Sequence, residues 1–381
     1  MTDSDRTGSH VYVHVPFCSR RCSYCDFSIA VRKHVPWAEF STSVGRELDV
    51  RDVRKANSDS DSARTADTLF LGGGTPSKLG VDGVEALIRV LGDSGISFDG
   101  DSEVTIEVNP EDVSASAAAA WLRLGITRLS VGVQSLSSAA LQWMHRTHGP
   151  EEAAGAVRAA RLAGFRNVSV DLIYALPGSV GRSWSDDLRR VVDLGPDHIS
   201  VYGLTVEAHT PLGRWTARGD VVARPAEQAA DEFLEAHDTL TSAGYEHYEV
   251  SNYARPGMRG RHNSAYWLRV PYLGLGPSAH SFDGTSRRWN VAAYTAWTAA
   301  LAKGADPLAG AEALGDGEQL AEETYLGLRT DTGVELASGA DIATGARWVR
   351  EGWATMQGNR VRLTAEGWLR LDALAVTLGA R

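Results

Sequence analysis

The three cysteines of this 381-residue chain all lie within eight residues of one another near its start. They are Cys18, Cys22 and Cys25, which gives the spacing C-x3-C-x2-C. Soft thiolates favour zinc, copper(I) or iron–sulfur clusters. An odd number of cysteines excludes complete disulfide pairing, and their clustering argues against separate buried thiols. The pattern therefore predicts a metal site. Three ligands do not complete a four-ligand site, so either one iron of a cluster remains open or a fourth ligand comes from elsewhere.

The composition indicates a cytoplasmic protein that does not bind nucleic acid. The formal net charge is −10 and no long basic run occurs, which argues against tight binding to a phosphate backbone. We expect no transmembrane segment, because no run approaches the roughly 18 to 20 apolar residues that one needs. The polar first ten residues lack the apolar stretch of a secretion signal. The cysteines should therefore face a reducing compartment, and a protein, small-molecule or tetrapyrrole partner fits best.

Strand and helix patterns alternate over the first two-thirds of the chain and predict an α/β fold. This alternation is typical of βαβ units and a parallel sheet. The β-rich runs lie near 10–16, 67–72, 102–109, 128–135, 167–175 and 198–206. The helical patterns between and after them lie at 36–54, 80–92, 114–124, 150–164, 181–194 and 225–243.

Several of these strands alternate apolar and polar residues. A parallel strand that is buried on both faces usually reads as an unbroken apolar run, whereas Glu107, Gln134 and Asp171 each interrupt a valine-rich strand. Because successive strand residues point to opposite faces, the polar set, together with Tyr12, should line the inside of a curved sheet. Buried polar groups need partners, so this pattern predicts a bound polar ligand. The alternative is a mixed sheet with one solvated face.

A glycine run follows the second predicted strand and precedes a helix. Leu71-Gly72-Gly73-Gly74-Thr75 forms this turn, which lets the backbone approach a ligand closely. It lacks the trailing lysine of a P-loop and the spacing of a dinucleotide-binding fingerprint. Beside a cluster motif, contact with a ligand is a better interpretation than a plain turn.

Taken together, these motifs resemble the radical S-adenosylmethionine (SAM) superfamily, and more closely its oxygen-independent coproporphyrinogen III oxidase-like family. The resemblance runs in order across most of the chain. The matching segments are YVHVPFCSRRCSYCDF at 12–27, GGGTPS at 72–77, EVNP at 107–110, LSVGVQS at 129–135, DLIYALPG at 171–178, YEVSN at 248–252 and HNSAYW at 262–267.

The resemblance implies a partial parallel (β/α)6-type barrel with two cofactors. Cys18, Cys22 and Cys25 would hold a 4Fe–4S cluster whose open iron binds SAM. Reduction by a one-electron donor such as a ferredoxin or flavodoxin would then give methionine and a 5′-deoxyadenosyl radical. The cofactor supplies this chemistry and the protein positions it. By position in the motifs, further cofactor contacts fall on Tyr12, Tyr24, Gly73, Gly74, Thr75, Glu107, Gln134, Arg146 and Asp171. No residue is assigned a catalytic role.

Two functions compete within the family. One is a coproporphyrinogen III dehydrogenase of porphyrin biosynthesis, and the other is a haem chaperone of the HemW-like branch, which passes haem to an acceptor protein. The oxidases resembling this chain carry a further cysteine where Phe27 stands and a longer N-terminal extension. His262 lies in a segment that resembles the chaperone branch's haem-associated motif, and a neutral imidazole suits haem iron. We expect the chaperone, with His262 either binding haem or serving as a surface or hydrogen-bonding residue.

We expect four segments along the chain. They are a disordered N-terminus (1–9), the radical SAM barrel (10–245), an extension carrying HNSAYW (246–311) and a winged-helix-like C-terminal domain (312–381). The last segment should contain helices at 316–329 and 335–350, a hairpin at 353–364 and a final helix. Winged helices often bind DNA, but this segment has 11 acidic and 7 basic residues. Protein contact or capping of the barrel is the better interpretation, and a tRNA-modifying enzyme is disfavoured.

Overall fold

A computed structural model describes residues 9–53 and 64–379. Except for Ser9, the predicted disordered segment 1–9 lies outside these residues. Within the described ranges, no helix is both long enough and apolar enough to cross a membrane.

The centre of the molecule is a nine-stranded sheet, and six of the first ten strands form its parallel middle. The first ten strands are β1 (His10–Val15), β2 (Phe17–Cys18), β3 (Ala30–Val31), β4 (Arg64–Thr65), β5 (Thr68–Gly73), β6 (Ile96–Ser97), β7 (Glu103–Val108), β8 (Arg128–Gln134), β9 (Asn167–Tyr174) and β10 (His198–Gly203). Strands β1, β5, β7, β8, β9 and β10 pair in parallel in this order. The six predicted strands are therefore confirmed. The two-residue strands form separate parallel pairs, β2 with β3 and β4 with β6.

Helices follow the strands and bury the apolar face of the sheet. They are α1 (Trp37–Val50), α2 (Gly80–Asp93), α3 (Ala115–Arg123), α4 (Ser138–Trp143), α5 (Pro150–Ala163), α6 (Trp184–Leu194), α7 (Pro211–Ala217) and α8 (Ala226–Ser242). Val104, Ile106 and Val108 of β7 belong to the main hydrophobic core. The intervening Glu107 therefore faces the opposite side of the sheet, because strand residues alternate in direction. The short helices α4 and α7 were not predicted.

Local sequence signals explain where the longer helices begin and end. Helix α5 begins at Pro150, whose fixed φ suits a first helical position, and it ends at Gly164 with φ +106°. Helix α6 begins after Ser183, whose hydroxyl accepts a hydrogen bond from the Asp186 amide at 3.2 Å. Such caps satisfy amides that have no partner within the helix.

The chain after α8 extends the sheet at both of its edges. Strands β11 (Glu246–Glu249) and β12 (Asn252–Ala254) add antiparallel strands beside β10, and β13 (Leu273–Leu275) pairs in parallel with β1. Helix α9 (Arg261–Trp267) carries HNSAYW. A three-stranded antiparallel sheet and one helix complete this part: β14 (His280–Phe282), β15 (Ser286–Asn290), α10 (Tyr294–Ala302) and β16 (Leu308–Ala313).

The C-terminal part is built around a second hydrophobic cluster, which includes Leu328, Trp348 and Val361 and also contains Phe233 of α8. Its elements are α11 (Asp316–Leu328), β17 (Val334–Glu335), α12 (Gly339–Arg350), β18 (Ala354–Gln357), β19 (Arg360–Leu363), α13 (Ala365–Trp368) and α14 (Leu371–Gly379). The predicted helix at 335–350 is present, but the prediction of its first residue was wrong. Val334–Glu335 pairs with β19, and the helix begins after Ser338, whose hydroxyl accepts from the Asp341 amide at 3.1 Å.

Candidate cofactor site

The cysteines lie in the loop that follows β1, at the carboxyl end of the sheet. All three are free thiols of intermediate exposure, and the pairing of Cys18 with Val31 ties the loop to β3. Burial raises the pKa of the Cys25 thiol to about 11 and also raises the pKa of Cys18. Binding of a metal centre to these thiols must therefore release protons.

Three thiolates are the type of ligand that an iron–sulfur cluster takes. Among residues 9–53 and 64–379, no three His, Cys, Asp or Glu side chains are grouped so that they could hold one ion. In a cubane cluster each thiolate binds a different iron, so its ligands are spaced more widely than those around a single ion. Three thiolates from one loop therefore match a 4Fe–4S cluster with one iron left for another ligand.

A cavity of about 400 Å³ adjoins the thiols, and the carboxyl ends of the parallel strands form its walls. Ligands of open α/β sheets usually bind at this edge. The cavity brings together eleven of the thirteen predicted site residues: Cys18, Cys22, Tyr24, Cys25, Gly73, Gly74, Thr75, Glu107, Gln134, Arg146 and Asp171.

The glycine turn shapes one wall of this cavity. Gly73 has φ +106°, a conformation that favours glycine, and its amide donates a hydrogen bond to the Glu107 carboxylate at 3.0 Å. A Cβ on Gly74 would lie 2.8 Å from the backbone of Pro16. The hydroxyl of Thr75 lies 3.4 Å from the Cys18 sulfur. The turn therefore packs directly against the cysteine loop.

Two partly buried carboxyl groups give the cavity an acidic character. Burial and the nearby Asp171 raise the pKa of Glu107 to about 8. Burial also raises the pKa of Asp171, which accepts a 3.4 Å hydrogen bond from Ser130. A cationic ligand in the cavity would favour the ionised form of these carboxyl groups, which burial disfavours. The sulfonium and ammonium groups of SAM are such cations.

Arg146 connects the strand ends to the cysteine loop. Its Nη2 donates to the Asn109 side chain at 2.7 Å and to the Gly132 carbonyl at 3.0 Å. Its Nη1 lies 3.7 Å from the Cys22 sulfur, and its Nε is buried without a hydrogen-bond partner in the protein. The guanidinium is therefore held at the cavity with a donor to spare, which suits a carboxylate ligand.

Tyr12 does not line this cavity. It lines a second cavity of about 270 Å³ instead, together with Tyr266 and Tyr272 of the extension. The two cavities share three wall residues, which are Phe27, Gly73 and Glu107. Tyr12 is therefore one residue layer away from the thiols.

His262 lies outside both cavities. The residue is 1% exposed, so of the alternatives to haem binding a surface position is wrong and a hydrogen-bonding role is observed. Its Nδ1 lies 2.6 Å from the Thr68 hydroxyl and its Nε2 lies 2.8 Å from the Tyr266 hydroxyl. Burial lowers the pKa of this imidazole to about 3. Haem ligation by His262 stays a prediction, and it would require one of these hydrogen bonds to break.

Six residues that line the second cavity were not identified from the sequence as ligand contacts: His14, Phe27, Tyr266, Tyr272, Ser278 and His280. Phe27 was noted only because it stands where the related oxidases have a cysteine. Tyr266 was noted only as a neighbour of His262 in the motif. Tyr272 and His280 flank the glycine-rich segment Leu273-Gly-Leu-Gly-Pro-Ser-Ala279. That segment resembles the first glycine turn in composition and was the available signal.

Comparison with known proteins defines the class. The family model of the Radical SAM superfamily matches residues 12–191. The solved structure of coproporphyrinogen III oxidase (HemN) from Escherichia coli, a radical SAM enzyme, has a TM-score of 0.82 with 22% sequence identity. That match covers 97% of this chain and 89% of the HemN chain. The fold is therefore that of a radical SAM protein, and the predicted 4Fe–4S cluster and SAM follow from this class.

The sequences of curated relatives narrow the class to a family. Heme chaperone HemW from Synechocystis is 36% identical over 280 residues, which are 72% of this chain and 66% of that protein. Heme chaperone HemW from Mycobacterium tuberculosis is 37% identical over 306 residues, 78% of this chain and 76% of that protein. The chain thus spans about two-thirds to three-quarters of these relatives' length. It belongs to the heme chaperone HemW family.

Proposed function

We propose that this protein is a haem chaperone, which binds haem beside a radical SAM site and passes it to an acceptor protein. One observation carries this proposal: the identity of 36–37% with Heme chaperone HemW over more than 70% of the chain. The alternative, a coproporphyrinogen III oxidase, has support from the fold alone. Phe27, which stands where the oxidases resembling this chain have a further cysteine, also favours the chaperone.

The cysteine-lined cavity is the proposed site of the cluster and SAM. Cys18, Cys22 and Cys25 would hold the cluster, and Arg146 has a free donor for the SAM carboxylate. Glu107 and Asp171 would attract its cationic groups, and the side chains of Gln134 and Tyr24 would complete the walls. When bound, the reduced cluster and SAM supply radical chemistry, while the residues bind, orient and exclude water.

The second cavity is the proposed site of haem. Its aromatic side chains, Tyr12, Phe27, Tyr266 and Tyr272, suit the apolar faces of a porphyrin. Phe27 is 58% exposed although it is a large apolar side chain, so a bound macrocycle would cover it. The HNSAYW motif reaches this cavity through Tyr266.

An acidic electron carrier such as a flavodoxin or ferredoxin is the proposed reductant. Four basic residues surround the cysteine loop: Arg20, Arg21, Arg32 and Lys33 are all exposed, and within the described part of the chain none forms an ion pair. The Arg32 amide bonds the Cys18 carbonyl at 3.0 Å, so this basic rim adjoins the cluster ligands. Complementary charge would steer such a partner to the site. Free thiols further support a cytoplasmic location.

The domain division predicted from the sequence is also retained as a proposal. A separate hydrophobic cluster and a three-stranded sheet in the C-terminal part support a winged-helix-like unit. The stretch 246–311 would then be the extension that closes both sheet edges.

The test is a haem titration combined with an assay of coproporphyrinogen III turnover. Anaerobically reconstituted protein should develop a saturable Soret band with one haem per chain. With SAM and a reductant present, it should leave coproporphyrinogen III unchanged. Formation of decarboxylated product would favour the oxidase instead.

A cluster-free variant separates the two sites. Cys22→Ala should lose the cluster and its iron, yet it should still bind haem in the second cavity. Absence of a saturable Soret change in the wild-type protein would contradict the proposal. Full cluster content in the variant would contradict the assignment of Cys22.

A further inference from the structure

The loop between β13 and β14 places a histidine at the second cavity. This loop runs from Gly276 to Ala279, and His280 follows it as the first residue of β14. A Cβ on Gly274 would lie 1.8 Å from the His280 carbonyl oxygen, so only glycine allows this approach. Ser278 has φ +65°, which is uncommon outside glycine and marks strain that surrounding structure must support. The backbone here is thus built for one particular placement of His280.

Three histidines lie at or near this cavity, but only one has a free imidazole. His14 bonds the Tyr12 hydroxyl at 3.1 Å and the Ser28 carbonyl at 2.9 Å. His262 is bonded at both ring nitrogens, as described above. His280 is exposed and lines the cavity. Neither of its ring nitrogens has a hydrogen-bond partner among residues 9–53 and 64–379. Partial desolvation, together with the nearby Arg287, lowers the pKa of His280 from its usual value.

A buried ion pair holds the loop that carries His280. Glu47 and Arg51 of α1 are bonded to each other at 3.0 Å. Arg51 also donates to the Gly274 carbonyl at 2.7 Å and to the Ser281 hydroxyl at 3.0 Å. Glu47 accepts from the Gly276 amide at 2.9 Å. Both ends of the loop are therefore fixed from inside the protein.

The His280 ring is oriented by Trp289 on the neighbouring strand. The two rings stack at a centroid distance of 5.6 Å and an interplanar angle of 22°. The contact uses the ring face of His280 and no hydrogen bond to either ring nitrogen. An imidazole that is oriented by a ring contact and keeps its nitrogens available beside aromatic walls can bind haem iron.

We propose that His280, and not His262, is the protein ligand of haem iron. This inference rests on the proposed haem-binding function. The porphyrin would pack against Phe27, Tyr266 and Tyr272, with its iron at the imidazole of His280. At about 270 Å³, the cavity is smaller than most enclosed ligand sites, which occupy about 300–1,000 Å³. Haem would therefore remain partly exposed, which suits a cargo that must be handed on.

The test compares haem binding by four proteins: wild type, His280→Ala, His262→Ala and His209→Ala. His209 is an exposed histidine outside both cavities, so its variant is the matched control. His280→Ala should shift the Soret maximum and weaken binding by at least about tenfold, whereas the control should match wild type. Added imidazole should restore the wild-type spectrum of His280→Ala.

The outcomes distinguish this inference from the function on which it rests. Failure of wild type to bind haem would overturn the proposed function. Haem binding by wild type with an unchanged spectrum and affinity in His280→Ala would overturn the inference alone, as would loss of ligation only in His262→Ala. If His280→Ala folds poorly, His280→Gln keeps a planar side chain beside Trp289 and removes the imidazole. Retention of the wild-type spectrum in that variant would equally count against ligation by His280.

Discussion

Individual residues of the cofactor cavity are held in states that are unfavourable without a ligand. Glu107 is the clearest case, because burial and Asp171 raise its pKa to about 8. The folded, ligand-free protein therefore retains a proton that the unfolded chain has lost above pH 4.5. It follows that Glu107 costs stability as pH rises, until its folded-state pKa is passed.

The variant Glu107→Gln tests this cost. Between about pH 5 and pH 9, the free energy of unfolding of the ligand-free wild type should fall more than that of the variant. The extra fall should be a few kcal/mol, because each unit of pKa shift corresponds to about 1.4 kcal/mol. Urea denaturation at both pH values measures the difference. Glu85→Gln, on an exposed salt bridge, is the control and should show no such change. If the difference in the free energy of unfolding between wild type and Glu107→Gln were the same at both pH values, the raised pKa of Glu107 would be contradicted.

Site residues could be predicted from the sequence where their position depends on a local pattern. Alternation within a strand predicted the inward direction of Glu107, Gln134 and Asp171, because that direction depends on the strand alone. It could not reveal the state of His262, whose partner Thr68 is 194 residues away in the chain. It missed His280 for the same reason, since its place at the cavity depends on Arg51 of a distant helix.

At the scale of elements, periodic segments were predictable and short ones were not. Each long strand and helix of the barrel repeats its apolar spacing over several residues. Strands β2 and β3 have two residues each and therefore no period. Their pairing nevertheless shapes the site, because it places Val31 opposite Cys18 and the Arg32 amide on the Cys18 carbonyl.

The basic rim formed by this pairing gives a prediction about electron transfer. Arg32→Glu should slow reduction of the cluster by a flavodoxin by about tenfold at low ionic strength, and salt should reduce the difference. Stopped-flow absorbance measures the rate. Arg123→Glu changes an exposed arginine on α3 and should have little effect. Reduction by dithionite should be equal in all three proteins, and an unchanged flavodoxin rate in Arg32→Glu would contradict docking at the rim.

At the scale of the whole molecule, the C-terminal part is attached beside the helix that carries HNSAYW. Arg329 follows α11 and pairs with the buried Glu249 of β11 at 3.1 Å. Its guanidinium also lies 4.4 Å from the ring centre of Trp267, the last residue of the motif. The Val250 amide bonds the Arg329 carbonyl at 3.1 Å. One arginine thus connects the C-terminal part, the sheet edge and the motif helix.

Removal of Arg329 should therefore lower the stability of the whole molecule by more than the loss of a single contact would. Arg329→Ala leaves the carboxylate of Glu249 buried and unpaired, which should lower the free energy of unfolding by about 3 kcal/mol. Arg360→Ala breaks the exposed pair with Glu335 and should cost at most about 1 kcal/mol. Urea denaturation measures both, and amide hydrogen exchange should show faster exchange in α11 only for Arg329→Ala.

The cost of losing Arg329 should also depend on pH. Burial raises the pKa of Glu249 even with its partner present, and an unpaired carboxyl group is protonated more readily still. Protonation removes the unpaired charge, so the deficit of Arg329→Ala should shrink as pH falls from about 8 to about 5. A deficit that does not change over this range would show that the arginine acts through its packing on Trp267 and not through its charge.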